Sequence, residues 1–179
     1  MLAYLFVLMA AAVHIRFIAL PFSFTPVVAA LLYFGARMPR KQMWIPVAIL
    51  AASDVYLTRV TYAYPLTADH IVTWAWYAAI VLLGGMLIKS FSPLRIGASA
   101  LLASVSFFLI SNFAVWMVWR DMYPKTFNGL MTCYAAGVPF FRAEVVSDLL
   151  FCAAFFGIAY LVSQHATEPA SVPVSRNLR

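Results

Sequence analysis

Charge is what this sequence has least of. Only 10% of its 179 residues are charged, whereas 65% are hydrophobic and the mean hydropathy is +0.91. Soluble domains are only about 45–50% apolar, so this composition argues against an ordinary soluble domain. It predicts an integral membrane protein, and the lipid bilayer is therefore its first expected partner.

Cysteine and the usual motifs of catalysis are also scarce. The two cysteines, Cys133 and Cys152, are too few for a disulfide framework. The chain has no Walker motif and no GxSxG, HExxH or CxxC pattern. The histidines have no partner at the spacing of a metal site. The sequence therefore predicts a protein that is not an enzyme and that holds no metal or cofactor.

The positive charge that is present follows membrane topology. The net charge is +6, but lysine and arginine stand at the ends of apolar segments, so we expect no nucleic-acid partner. If the N-terminus is cytoplasmic, seven of the twelve basic residues fall on the cytoplasmic side, including the compact run at 37–41. The positive-inside rule thus favours a multi-pass protein with both termini in the cytoplasm.

Six apolar segments can be drawn along the chain. They cover residues 1–20, 27–36, 43–57, 71–88, 97–119 and 143–163. The second is too short to cross a bilayer of about 30 Å as a straight helix, so it must be tilted, continue into its flanks or be sheltered by its neighbours. The pattern predicts an all-α membrane bundle of about six transmembrane helices. Residues 1–165 form its single domain, and residues 166–179 form a flexible cytoplasmic tail.

The connection at 123–141 differs from an ordinary loop. It contains two prolines, two glycines, five aromatic residues and Cys133, and it has little charge. Irregular backbone at membrane depth survives only where protein or water satisfies its polar groups. The sequence therefore predicts either a capping or re-entrant loop over a cavity or a one-turn helix packed on the bundle.

Two acidic residues stand inside apolar segments. Asp54 and Asp148 each follow a serine. An ionised side chain inside a bilayer costs roughly 2.5–3.5 kcal/mol on insertion scales. Both acids are therefore expected to face a polar interior, which either lines a cavity or holds a packing network.

A third acid lies close to the second along the chain. Glu144 and Asp148 are four residues apart and share a helix face, which the sequence places near a helix N-terminus. Like charges on one face repel, and Arg142, Arg16 or a ligand amine could neutralise them. Two interpretations remain open, a structural network of cap and salt bridge or the coordination of a ligand or ion.

Aromatic residues complete the candidate site. Most of them, including Trp74, Trp76 and Tyr77, are expected in the interfacial belt, while some that face inward would suit a flat organic ligand. The candidate ligand-binding residues are Arg16, Asp54, Trp116, Tyr123, Cys133, Tyr134, Phe140, Arg142, Glu144 and Asp148.

Several short motifs follow one another along the chain. An arginine-bearing first helix leads into FTPVVAA at 24–30, followed by Ser-Asp at 53–54 and SDLL at 147–150. This arrangement resembles the substrate-binding S component of energy-coupling factor (ECF) vitamin transporters. The likeness covers residues 16–160. The chain is also similar to uncharacterised bacterial inner-membrane proteins that share SNFxVW at 111–116 and the Tyr-Pro to Cys-Tyr run at 123–134.

This resemblance implies a six-helix protein of the bacterial inner membrane that binds a vitamin-like molecule near its outer face and moves it inward. It also implies an ATP-hydrolysing partner module, or toppling in the membrane. The Ala-xxx-Ala pattern that S components use for docking is absent from residues 1–20, and solitary S components do without it. In the cobalamin type a loop cysteine can bind cobalt, a role that would fall to Cys133.

An alternative from another class is a structural accessory subunit of a larger membrane complex, respiratory or photosynthetic. There the aromatic surface would contact lipid, pigments or partner helices, and the acids would only pack. A transporter is expected to have a cavity that the acids reach, whereas an accessory subunit is expected to have a filled bundle.

Overall fold

The computed structural model describes residues 1–14, 24–119 and 121–166. All regular structure in these residues is helical, as predicted. The six α-helices are α1 (Leu2–His14), α2 (Val27–Arg37), α3 (Trp44–Tyr56), α4 (Ala68–Leu87), α5 (Pro93–Val118) and α6 (Phe127–Ala166). A 3₁₀ turn, Arg40–Gln42, leads into α3, and a π-helical turn, Leu57–Thr61, continues it.

Four of these stretches are long and apolar enough to cross a membrane. They are Arg40–Thr61, Ala68–Leu87, Pro93–Val118 and Phe127–Gln164. The remaining helices, α1 and α2, contain 13 and 11 residues and are therefore roughly 16–20 Å long, shorter than the hydrocarbon layer. Helix length and composition thus confirm a helical membrane protein, in which the described lengths of α1 and α2 are each shorter than a straight bilayer span.

The helix boundaries follow from local sequence. Pro39 disfavours helical backbone at Met38, which is extended at φ −107° and ψ 151°, and α2 ends one residue earlier. Pro93 begins α5 directly after the N-cap Ser92. At the start of α4, Thr67 and His70 form a reciprocal capping box.

The short helix α2 occupies the centre of the bundle. Nine of its eleven residues are buried, and it packs against α1, α4, α5 and α6. Because it is apolar on every side, burial is the arrangement that such a helix needs. The sequence left three ways for this segment to be accommodated, and shelter by neighbouring helices is the one observed.

Glycine sets the closest helix contact in the bundle. A Cβ atom at Gly35 would stand 1.9 Å from the Val81 carbonyl oxygen, and one at Gly84 would stand 2.3 Å from that of Leu32. The backbones of α2 and α4 therefore touch directly, as small residues allow in membrane helices.

The segment 123–141, predicted as a loop or a one-turn helix, is part of a long helix from Phe127 onward, so the prediction is wrong for most of its length. Helix α6 begins at Phe127, where the Gly129 N–H donates to the Thr126 hydroxyl at 3.1 Å as at an N-cap, and it continues for 40 residues. Pro139 lies inside it. Membrane helices tolerate such a proline because neighbouring groups satisfy the backbone, so proline and glycine were misleading signals for a loop here.

Helices α5 and α6 form an antiparallel hairpin that spans the bundle. The Cys133 thiol donates to the Asn112 carbonyl at one end, and the rings of Phe91 and Tyr160 stack at 4.5 Å at the other. We call residues 106–118 with residues 127–144 the hairpin half. The core half comprises α1, α2 and the parts of α4, α5 and α6 that pack on them.

Candidate functional site

Asp54 is held near the end of α3 by two aromatic donors from α4. The Trp74 indole N–H donates to Asp54 Oδ2 at 2.9 Å, and the Tyr77 hydroxyl donates to Oδ1 at 3.5 Å. Only 9% of Asp54 and 4% of Tyr77 is exposed. Tyr77 therefore binds a buried carboxylate and does not lie in the interfacial belt, which corrects the prediction for this residue.

The π-helical turn follows Asp54 by two residues. π-Helical turns are rare and are found frequently at functional sites, because they change the direction in which side chains project. At its first turn, Thr58 Oγ1 lies 3.0 Å from Nε2 of His70 on α4. The end of α3 is thus joined to α4 by polar contacts on both sides of this irregularity.

Asp148 is the second buried carboxylate, and it lies in the middle of α6. Its exposed fraction is 2%, and its Oδ2 accepts from the Ser104 hydroxyl of α5 at 2.7 Å. The preceding Ser147 donates to the carbonyl of Thr25 at 2.9 Å, just before α2 begins. Asp148 is therefore fixed to α5, while its neighbour fixes α6 to the entry of α2.

Glu144 lies between the two buried carboxylates. It is partly buried one helical turn before Asp148, on the same face of α6, and Tyr77 lies within electrostatic range of both Glu144 and Asp54. Because α6 begins at Phe127, Glu144 and Asp148 lie mid-helix and gain nothing from a helix N-terminus, contrary to prediction.

These groups form one polar layer across the bundle, contributed by α3, α4, α5 and α6. We use the name polar layer for Asp54, Trp74, Tyr77, Ser104, Glu144, Ser147 and Asp148.

The charge of this layer is not neutralised by Arg142. Two residues along a helix rotate a side chain by about 200°, so Arg142 and Glu144 project from opposite sides of α6. Arg142 is exposed, and within the described residues no lysine or arginine nitrogen lies within 4.0 Å of Glu144 or Asp148. The predicted neutralisation by Arg142 is therefore wrong. Arg16, the other candidate, lies outside the described residues.

Three of the remaining candidates pack within the hairpin. The Trp116 indole N–H donates to the Pro124 carbonyl at 2.9 Å, and the Tyr134 hydroxyl donates to the Leu109 carbonyl at 2.9 Å. Cys133 is a buried residue of α6 whose thiol lies 3.4 Å from the Asn112 carbonyl oxygen. Cys133 thus stands in a helix, whereas the implied cobalt ligand would stand in a loop.

The last two candidates lie apart from these contacts. Phe140 is 51% exposed on α6, and Tyr123 lies partly exposed in the connection between α5 and α6. Their role in binding a ligand stays a prediction.

The donors to the carboxylates were the residues that sequence reasoning missed. Trp74 and Tyr77 are three residues apart on α4 and so share a helix face, and Ser104 is a polar residue within an apolar segment. Both features could have been read as partners for buried acids, because a buried carboxylate requires hydrogen-bond donors.

An open groove lies on another face of α6. Its volume is about 430 Å³, and it is lined by Phe24, Pro139, Arg142, Ala143 and Val146. The described residues contain no group of three side chains that could hold a metal ion. None of the described residues that line this groove belongs to the polar layer, so the groove and the layer are separate features.

Comparison with known proteins gives a family and no function. No curated protein and no solved structure matches the chain significantly. A sequence model of a family matches residues 1–171, which is nearly the whole chain. The chain therefore belongs to this family, a family of unknown function (DUF6580).

Proposed function

We propose that the protein binds a small, vitamin-like organic molecule at the polar layer and moves it inward across a bacterial inner membrane. In this proposal both termini are cytoplasmic, and the hairpin half faces outward. The observation that carries it is the set of three acids, Asp54, Glu144 and Asp148, within one membrane bundle. No bond-making chemistry is involved, since the acids bind the molecule without reacting with it.

Energetics favour a functional role for at least part of this layer. Carboxylates inside a membrane are costly, and such residues commonly mark substrate or ion pathways. Asp54 accepts hydrogen bonds from two aromatic side chains, which are sufficient to explain its burial. Glu144 and Asp148, in contrast, share a helix face and have no cation beside them among the described residues. Two like charges at this spacing destabilise a helix unless something neutralises them. A basic or hydrogen-bonding group of a bound molecule would do so.

The position of the layer suits binding followed by conformational exchange. Ser147 contacts the residue before Pro26, so the layer lies at the level where α2 begins. The buried core half closes one side of it, and the less buried hairpin half lies on the other. An ATP-hydrolysing module or other membrane subunits are the partners that would drive release.

Native mass spectrometry of the protein purified in mild detergent tests this proposal. We expect the wild type to retain a vitamin-sized mass. Asp148→Asn is expected to reduce its occupancy at least about tenfold, since a lost charge-assisted contact costs about 1.5–3 kcal/mol. Asp121→Asn is the matched control, because Asp121 is exposed in the connection between α5 and α6. Thermal unfolding of each variant verifies that it is folded.

The outcome also separates the proposal from its rival. Purification of the wild type without any bound small molecule, but in stoichiometric association with large membrane subunits, would support the accessory-subunit role. Equal occupancy in the wild type and Asp148→Asn would show that the molecule binds elsewhere, and the polar layer would then be structural.

A further inference from the structure

The groove on α6 is a stripe along one side of the helix. Pro139, Arg142, Ala143 and Val146 follow the spacing i, i+3, i+4 and i+7, and Phe24 forms the opposite wall. Val146 and Asp148 are two positions apart on α6, which corresponds to a rotation of about 200° around the helix axis. The stripe therefore lies roughly on the opposite side of the helix from the Asp148 carboxylate. The groove is therefore distinct from the polar layer, and the inference drawn from it does not rest on the proposed function.

The lining is almost entirely apolar, and a single cation lies at its edge. Phe24, Pro139, Ala143 and Val146 offer carbon surface, and Arg142 adds its aliphatic stem, so that its guanidinium group stands outside the groove. Arg142 is exposed and makes no ion pair with any described residue. A charged arginine in a membrane-spanning helix is unfavourable unless it reaches the interface or finds an anion.

The depth of Arg142 suits a lipid headgroup. The neighbouring Phe141 packs on Phe108 of α5 with ring centroids 4.7 Å apart, eight residues before Trp116. Eight residues of helix correspond to about 12 Å. Trp116 lies 5.2 Å beneath the Lys125 ammonium and so has the surroundings of an interfacial residue. A long arginine side chain directed along α6 covers part of that distance, toward the region of lipid phosphates.

We propose that this groove binds an anionic phospholipid. One acyl chain packs along Phe24, Ala143 and Val146, and the phosphate pairs with the Arg142 guanidinium. Arginine matches phosphate oxygens with a two-pronged geometry. A zwitterionic headgroup adds a cation beside that guanidinium, so a lipid of net negative charge is preferred. The lipid fills an open cavity and neutralises a membrane-embedded charge at the same time.

Native mass spectrometry with added lipid tests the site directly. Delipidated wild-type protein is mixed with equal amounts of phosphatidylglycerol and phosphatidylcholine. We expect several-fold greater retention of phosphatidylglycerol, and Arg142→Gln is expected to bring the ratio close to one. Arg142→Lys keeps the positive charge but loses the two-pronged guanidinium geometry, and it is expected to keep part of the preference for phosphatidylglycerol. Arg95→Gln, at another exposed arginine, is the matched control and leaves the ratio unchanged.

A second pair of variants tests the apolar part of the groove. Val146→Trp places an indole among the lining residues and is expected to reduce retention of both lipids several-fold. Val162→Trp is the control and retains wild-type binding, because Val162 is a 51% exposed valine sixteen residues further along α6 and on its opposite side. Thermal unfolding of all five variants shows that they remain folded.

Four results would overturn this proposal. The first is a wild-type protein that retains neither lipid or retains both equally, as expected if another segment of the chain fills the groove. The second is an unchanged ratio in Arg142→Gln, and the third is unchanged retention in a folded Val146→Trp. Displacement of phosphatidylglycerol by glycerol phosphate alone would also overturn it, because the acyl chain would then contribute nothing.

Discussion

The core half and the hairpin half are built by different physical means. In the core half, α2 is buried on every side, and glycines bring its backbone onto α4. Along α5, the buried residues Ile96, Ser99, Ala100 and Ala103 precede the polar layer, and only Ala114 is buried beyond Ser104. The core half is thus buried on many sides, whereas the hairpin half is more exposed and is joined by hydrogen bonds and by the contacts of Phe108 with Tyr134 and Phe141.

This difference indicates where stability and function are concentrated. Tightly packed regions tolerate little change in side-chain volume, because the loss or gain of a single methylene disturbs the packing of the neighbouring side chains. Regions with few buried contacts open more readily, and binding elements are often drawn from them. The polar layer lies at the boundary between the two halves. A molecule bound there would contact the packed helices of the core half on one side and the less buried helices of the hairpin half on the other.

The largest expected effect concerns the core half itself. Phe34 is fully buried on α2, so Phe34→Ala is expected to lower the free energy of unfolding by about 3–5 kcal/mol through the cavity it leaves. Phe127, 73% exposed at the start of the hairpin's second helix, is the matched position, and Phe127→Ala is expected within about 0.5 kcal/mol of the wild type. Unfolding by sodium dodecyl sulfate in mixed micelles, followed by circular dichroism, measures both. Equal losses would abolish the distinction between the halves.

The glycine contact is expected to give the next largest effect. Gly84→Ala places a methyl group 2.3 Å from the Leu32 carbonyl oxygen and 2.9 Å from its Cα, so the helices must separate at a cost of about 1–3 kcal/mol. Gly97 is the control, because a Cβ atom there meets nothing within 4 Å. Gly97→Ala should stabilise its helix by about 0.5–1 kcal/mol, since alanine loses less backbone entropy. The same unfolding measurement applies, and effects of equal sign would contradict the close contact.

The polar layer should show a smaller effect. Ser104→Ala removes the donor to the buried Asp148 carboxylate, and we expect a loss of about 1–2 kcal/mol. The hydroxyl of Ser111 on the same helix donates only to its own helix, at the Phe107 carbonyl, so Ser111→Ala is expected within about 0.5 kcal/mol of the wild type. Unfolding in mixed micelles distinguishes them. A stable Ser104→Ala variant would mean that Asp148 has another donor.

The smallest expected effect lies at the start of α4. Thr67→Ala removes half of the capping box with His70 and should cost about 1 kcal/mol or less. Amide hydrogen exchange of the first turn of α4 is the sensitive measurement, since fraying is local. Thr132 offers the comparison, because its hydroxyl bonds only to the Asn128 carbonyl within an exposed part of α6. Faster exchange in Thr67→Ala but not in Thr132→Ala confirms the cap.

Much of the fold could be predicted because composition and segment length determine it. Apolar segments indicated the six helices, and the length of residues 27–36 left tilt, extension into the flanks or shelter by neighbours as the alternatives for α2. The limits of α6 could not be found in this way. Pro139 breaks helices in water but is tolerated in a membrane, and the sequence does not reveal which neighbours satisfy the freed backbone group.

The candidate site was predictable to a similar extent. Isolated acids in apolar segments identified Asp54 and Asp148, and both are buried. Of the three cations considered for Glu144 and Asp148, Arg142 was wrong, since it projects away from them in the continuous helix α6, while Arg16 lies outside the described residues and a ligand amine stays a prediction. Their actual partners come from α4 and α5, and such contacts depend on how the helices are rotated, which a single sequence does not specify. Binding of a small molecule by these acids stays a prediction.

The contact of Gly35 with α4 has a mechanical consequence. Because backbone meets backbone there, α2 cannot slide or turn against α4 without steric overlap. The two helices must therefore travel together as one rigid body during any conformational cycle. The pivots of such a cycle are to be sought elsewhere, at the junctions of this pair with α3 and with the α5–α6 hairpin.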